Sequence, residues 1–195
     1  TYQISQQAVI ALLRRRGVLF RPHARLGCDD RFFRAIDSDA KAYWFGFLWA
    51  DGTVHASRGQ IAISLAMKDA EHLHRLRRDL RIRTRIAEYR YGTNAFARLV
   101  WTSKEMTADL AQHGLTTPRN VQAVPQIVSE QFGAFLRGYF DGDGTIGIYR
   151  HGIYLRPVLR IVSQNKLLLE NMAIECRARG IRVRIRPHKT IYQLE

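Results

Sequence analysis

Hydrophobic and polar positions along this chain follow two periods, and the switches between them lay out its elements. Period-two alternation places one class of residue on each face of a strand. It is strict over residues 181–188, IRVRIRPH, where Ile181, Val183 and Ile185 oppose Arg182, Arg184, Arg186 and His188. LRPVLRIVSQ at 155–164 sets Arg156, Arg160 and Gln164 against Leu155, Leu159 and Ile161. RIRTRI at 81–86 repeats the pattern with Arg81, Arg83 and Arg85, and GQIAISLA sets Gln60 and Ser64 against Ile61, Ile63 and Leu65. Between these stretches the period lengthens to that of a helix. From residue 40 the series reads helix (40–51), strands (53–57, 60–67), helix (69–80), strands (82–91, 95–102) and helix (104–113). It then begins again, with helix 129–143, strands 145–150 and 153–164, helix 166–179 and strand 181–187, and TIYQLE opens a last strand.

The restart carries a motif. WFGFLWADGTV (44–54) and LRGYFDGDGTI (136–146) both pass from an aromatic-rich helix through a small residue to Asp, Gly, Thr and a β-branched residue. Asp51 and Asp143 lie 92 residues apart, which marks a tandem duplication. Each acid closes a helix, where the macrodipole leaves about half a negative charge, and Gly144 suggests a left-handed cap there. One Asp-Gly reads as an ordinary turn; two in the same context do not. Gly46 and Ala50, and Gly138 and Gly142, are small residues four apart on one helical face. Such faces let two backbones pack closely, and side by side they would bring Asp51 and Asp143 together. Converging carboxylates repel unless a cation neutralises them, and hard oxygen ligands suit Mg2+ or a similar divalent ion such as Mn2+.

Charge then indicates the partner. The 195 residues carry a net charge of +14 with a pI near 10.6, which points to nucleic acid. Arg outnumbers Lys, which favours bidentate contacts to guanine edges and phosphates, and a basic strand face fits a duplex groove. No apolar run reaches the roughly 20 residues of a membrane span, and no signal-peptide pattern precedes the first elements. The expected location is therefore intracellular, cytoplasmic and nucleoid-associated, with an organelle as the alternative. Cys28 and Cys176 lack the spacing of a zinc or redox site. Residues 5–17, SQQAVIALLRRRG, read as an amphipathic helix with Ser5 as cap and Val9, Leu12 and Leu13 on one face, similar to a helix-turn-helix recognition helix. The expected organisation is that segment with a linker (1–39), a first repeat (40–128) and a second repeat (129–195) lacking its closing helix, as in a fragment cut at both ends.

WFGFLWADG (44–52) and LRGYFDGDG (136–144) resemble the nine-residue motif of the monomeric, two-motif LAGLIDADG homing endonucleases, and the resemblance runs over about residues 40–195. It implies an α+β fold of tandem pseudo-two-fold αββαββα repeats, with a central helix pair at the interface and an antiparallel β-sheet saddle for double-stranded DNA. It also implies a monomer that hydrolyses both strands of a long duplex target with a divalent metal, in a family tied to intron or intein mobility. Asp51 and Asp143 would bind the metals, with the carbonyls of Ala50 and Gly142 as further ligands. Gln164 stands where the family often has a Gln near the active-site water. Its counterpart in the first repeat is Ala66 by strand alignment or Lys68 by the following helix, and Lys68 is the catalytic candidate. Trp49 replaces the sixth-position acid that Asp141 keeps, and Asn120 beside Arg119 stands where relatives commonly carry a Lys. The candidate DNA contacts are Gln60, Ser64, Arg81, Arg83, Arg85, Arg98, Arg156, Arg160, Arg182, Arg184, Arg186 and Lys189. The alternatives on the same scaffold are a non-cleaving DNA-binding regulator and an RNA-splicing maturase.

Overall fold

The computed structural model describes residues 11–13, 15–17, 27–117, 123–125 and 127–195. The first unit comprises α1 (Asp39–Asp51), β1 (Thr53–His55), β2 (Gln60–Ala66), α2 (Ala70–Asp79), β3 (Ala87–Tyr91), β4 (Asn94–Thr102) and α3 (Lys104–Gln112). The second comprises α4 (Phe132–Asp143), β5 (Gly144–His151), β6 (Tyr154–Ser163), α5 (Lys166–Ala178), β7 (Ile185–His188) and β8 (Ile191–Leu194). Each unit folds into a four-stranded antiparallel sheet, ordered β1-β2-β4-β3 in the first and β5-β6-β8-β7 in the second. The duplication read from the motifs is thus a duplication of topology. No described helix is long and apolar enough to cross a membrane. Most of the amphipathic segment 5–17, and Arg119 with Asn120, lie outside the described residues.

α1 and α4 pack against each other at the centre of the molecule. α1 buries Trp44, Phe45, Phe47, Leu48 and Trp49 around most of its circumference, as a helix does when it is enclosed by protein. The contact is reciprocal. A side chain at Gly46 would begin 2.1 Å from the Phe135 carbonyl oxygen, and one at Gly138 would begin 1.9 Å from that of Tyr43. Gly46 and Gly138 are equivalent under the 92-residue offset, as are Tyr43 and Phe135, so the two contacts are one contact with the halves exchanged. That exchange is the mark of a two-fold interface. Ala50 and Gly142 are themselves equivalent, and a Cβ at Gly142 would lie 2.5 Å from the Ala50 Cβ, so this pair faces itself near the axis.

Two stretches read as strands leave their helices differently. At the end of α2 the Ile82 N–H donates to the Arg77 carbonyl and the Arg81 N–H to that of Arg78, while Arg81 turns left-handed at φ +52°. This is a Schellman exit, held by burial of Leu80 and Ile82. α5 ends with the same 6→1 bond, from Ile181 N–H to the Cys176 carbonyl, with Gly180 at φ +76°. The alternation of Ile and Arg that suggested a strand therefore belongs partly to helix caps. Strand β3 begins only at Ala87, so Arg81, Arg83 and Arg85 lie off the sheet. In the second unit Arg184 exchanges both backbone hydrogen bonds with Glu195, β7 begins at Ile185, and Arg182 precedes the pairing.

The units differ in how their sheets are covered. Val54 and Ile61 are a cross-strand pair in the first unit, both fully buried beneath α3, whose Met106 and Leu110 are also buried. The equivalent pair, Ile146 and Leu159, is 68% and 56% exposed.

Candidate functional site

Both central helices end in an acid, and neither has a basic residue in its last turn. Two negative helix termini and two carboxylates thus lie at the same end of the helix pair, which concentrates negative potential. The glycines that follow are there for room rather than for handedness. Gly52 (φ −74°, ψ 152°) and Gly144 (φ −83°, ψ 154°) are extended, not left-handed as Gly144 had suggested. Any side chain would begin 2.5 Å from the Leu48 carbonyl oxygen at Gly52, or 2.3 Å from that of Phe140 at Gly144. Each backbone N–H instead caps that carbonyl, and the chain passes directly from helix into strand. The Asp51 carboxylate reaches across the interface, with its Oδ2 3.3 Å from where a side chain at Gly142 would begin.

Two recesses flank the helix pair, each holding one of the two helix-ending acids. Asp143, Ser163, Gln164 and Asn165 line the first, closed from the other unit by Trp49, Gly114 and Leu115. Asp51, Lys68, Asp69, His72, Asp141 and Gly142 line the second. Lys68, and not Ala66, therefore faces the same recess as Asp51. The position follows from the helices: Asn165 accepts the Leu168 N–H as the cap of α5, and Asp69 holds the corresponding position before α2, so Lys68 corresponds to Gln164. Asn165 also donates to the Ala123 carbonyl, which ties the connector to this rim.

The recesses are not chemically equal. In the second, the Tyr43 hydroxyl donates to Asp141 Oδ2 at 2.6 Å and lies 3.0 Å from His72 Nε2. Its single proton goes to the carboxylate, so His72 is the donor and its Nε2 carries hydrogen. Burial, then the hydrogen bond to Asp141, pushes the Tyr43 hydroxyl well above its ordinary range, and burial lowers His72. In the other recess Phe135 and Trp49 replace Tyr43 and Asp141, and Leu168 replaces His72, all three buried. Motif comparison had pointed to Asp141. Tyr43 and His72 escaped notice because each sits alone in an amphipathic or aromatic run, with nothing in its spacing to mark it.

The sheet faces turned away from the helices carry the remaining candidates. On the first sheet Gln60, Ser64 and Arg98 share that outer face, Ser64 directly opposite Arg98. Tyr89 stacks on Phe96 there, with ring centroids 5.3 Å apart and planes 19° apart. On the second sheet Arg156 and Arg160 share the outer face with Arg184 and Arg186. Glu195 holds Arg160 at 3.2 Å and Arg186 at 2.7 Å, and Arg160 also donates to the Tyr149 hydroxyl. Lys189 sits exposed in the β7–β8 turn at φ +54°.

Residues 130–195 match the family model described as a LAGLIDADG-like domain. I-DmoI in complex with DNA and Ca superposes with a TM-score of 0.51 at 18% identity, over 85% of this chain and 83% of that one. The fold is that of the LAGLIDADG homing endonucleases. The I-LtrWI LAGLIDADG homing endonuclease bound to target DNA gives a TM-score of 0.54 at 11% identity, over 84% of this chain and 78% of its own. The N-terminal LAGLIDADG domain of DUF199/WhiA gives 0.51 at 15%, over 88% and 77%. No curated protein sequence matches the chain. At these identities the likeness covers the LAGLIDADG fold alone, and what this chain does with it rests on its own residues.

Proposed function

We propose that this protein is a sequence-specific, metal-dependent DNA endonuclease that cuts both strands of a long duplex. The observation that carries the reading is the pair of acids, Asp51 and Asp143, closing two apposed helices, each beside a recess with its own polar neighbour, Lys68 or Gln164. A LAGLIDADG scaffold used only for binding has no need of two carboxylates at its most negative point.

The residues fit a hard divalent cation. Among the described residues no three His, Cys, Asp or Glu side chains form a closed cage. The donor set is two carboxylates and the carbonyls of Ala50 and Gly142, left open for phosphate oxygens and water. The I-DmoI complexes contain DNA with Mn or Ca. When bound, the ion supplies Lewis acidity toward the scissile phosphate and its leaving oxygen. The chain's own groups do the positioning. Asp51 and Asp143 hold the cation against the helix ends, Gln164 orients water through its amide in one recess, and the Lys68 ammonium offsets charge on the phosphate in the other. The outer sheet faces bind the duplex, arginines and polar side chains reading base edges while the rest hold phosphates.

In vitro selection for cleaved duplexes with Mg2+ present tests this reading. Recovery of one preferred cut site supports it. Failure to cut any member of the library, in Mg2+ or Mn2+, removes it and leaves a DNA-binding role.

A further inference from the structure

The two outer faces differ in the chemistry they offer a base pair. Among the strand residues of the first, Arg98 is the sole Arg or Lys, set among Ala62, Ala66, Val100, Phe96 and Tyr89. Tyr89 is 41% exposed, so an apolar, ring-bearing surface faces outward here. The second face carries Arg156, Arg160, Arg184 and Arg186 within three strands. Glu195 occupies Arg160 and Arg186, while Arg156 and Arg184 are exposed and have no ion-pair partner among the described residues.

In the major groove these sets read different bases. Methyl and ring surfaces contact the thymine C5-methyl group, and Asn or Gln pairs with adenine N6 and N7. Guanidinium pairs with guanine O6 and N7. Asn94 and Gln60, on the same face as Phe96 and Tyr89, supply the adenine readers. Resting on the duplex-DNA reading above, we infer that the two half-sites differ in base chemistry: the first unit takes an A·T-rich half-site through thymine methyls and adenine edges, and the second takes a half-site read through guanines. The difference between the sheets then fixes the direction of binding.

Atom replacement in the DNA tests this with the unaltered full chain. A duplex is first selected by binding, without metal, from a randomised library. Deoxyuridine for thymidine then removes methyl groups from one half-site at a time, and 7-deazaguanine for guanine removes N7. The expected result is that deoxyuridine weakens binding about tenfold per contacted position in one half only, and 7-deazaguanine does so in the other only. Phe96→Ala should abolish the deoxyuridine effect and leave the 7-deazaguanine effect intact, which assigns the halves to the units. Two halves that respond alike would overturn the inference while leaving duplex recognition standing. So would a preference for single strands that Tyr89→Ala removes, since that would make the rings a stacking surface for unpaired bases. A chain that selects no duplex overturns the proposed function as well.

Discussion

Replacing Gly138 with Ala should destabilise the protein even though alanine is the better helix former. The added Cβ would begin 1.9 Å from the Tyr43 carbonyl oxygen and 3.0 Å from the Phe47 nitrogen, all backbone, so no side chain can rotate away. Ordinary contact starts at 3.4 Å, so α1 and α4 must separate locally by about 1.5 Å. A gap of 0.5–1 Å already forfeits a quarter to a half of a contact's dispersion energy, and the rings on either side, Phe45 against Phe135, lie across this seam. Overpacking costs about 1–3 kcal/mol, and a clash between two backbones belongs at the upper end, near 3. Helix propensity returns about 1 kcal/mol. The net loss is about 2 kcal/mol, or a fall in Tm of roughly 4–8 °C for a chain of this size. Gly133 in the same helix has nothing within 4 Å of its missing Cβ. Gly133→Ala should therefore hold or raise Tm, by less than the full propensity gain because it lies in the first turn. Thermal melts by circular dichroism compare the two variants. A Gly138→Ala protein that melts at or above wild type would refute the packing argument.

Three further outcomes are expected. Tyr43→Phe removes a hydroxyl that bridges Asp141 and His72, and because Asp141 is exposed and rehydrates, the loss is about 1 kcal/mol; an unchanged urea midpoint would contradict it. His72 is lowered from its ordinary 6.5, first by burial, with Arg75 adding to the effect and Asp141 and Asp69 opposing it. The unfolded chain therefore takes up a proton before the folded one, so stability is fully present above pH 6.5 and falls as pH drops below it. Denaturant melts between pH 7 and 5 should show that slope, and His72→Gln should flatten it. Glu195→Gln releases Arg160 and Arg186 on the outer face, so duplex binding should tighten, with a salt slope steeper by about one unit. Binding isotherms at several salt concentrations that coincide with wild type would show that this pair does not meet phosphate.

Much of this was legible in the sequence because duplication doubles a weak signal. One Asp-Gly after a helix is ambiguous, but Asp51 and Asp143 in matched contexts gave the repeat, the helix pair and the common end to which both acids are brought. The strand pattern was legible where β2, β4 and β6 are half-buried, since one face then selects against charge. It misled at Arg81 and Arg83, because a Schellman exit with Ile82 buried shows the same apolar–basic alternation as a strand over a few residues. Gly144 was read for its handedness, whereas its value is the space beside the Phe140 carbonyl, which depends on where the neighbouring turn lies. The Tyr43–Asp141–His72 chain joins residues up to 98 apart across the interface, and no local pattern records such a contact. Lys68 was chosen over Ala66 from the following helix, and that Lys68 shares a recess with Asp51 is a three-dimensional fact that strand alignment does not record.

The central claim is that Asp51 and Asp143 hold the ion for strand cleavage and do not hold the DNA. The most direct test takes one selected duplex and measures binding and double-strand cleavage in Mg2+ for wild type, Asp51→Asn and Asp143→Asn. The account predicts that either variant binds within a few-fold of wild type and makes no double-strand break. Cleavage at the wild-type rate by either variant would contradict it.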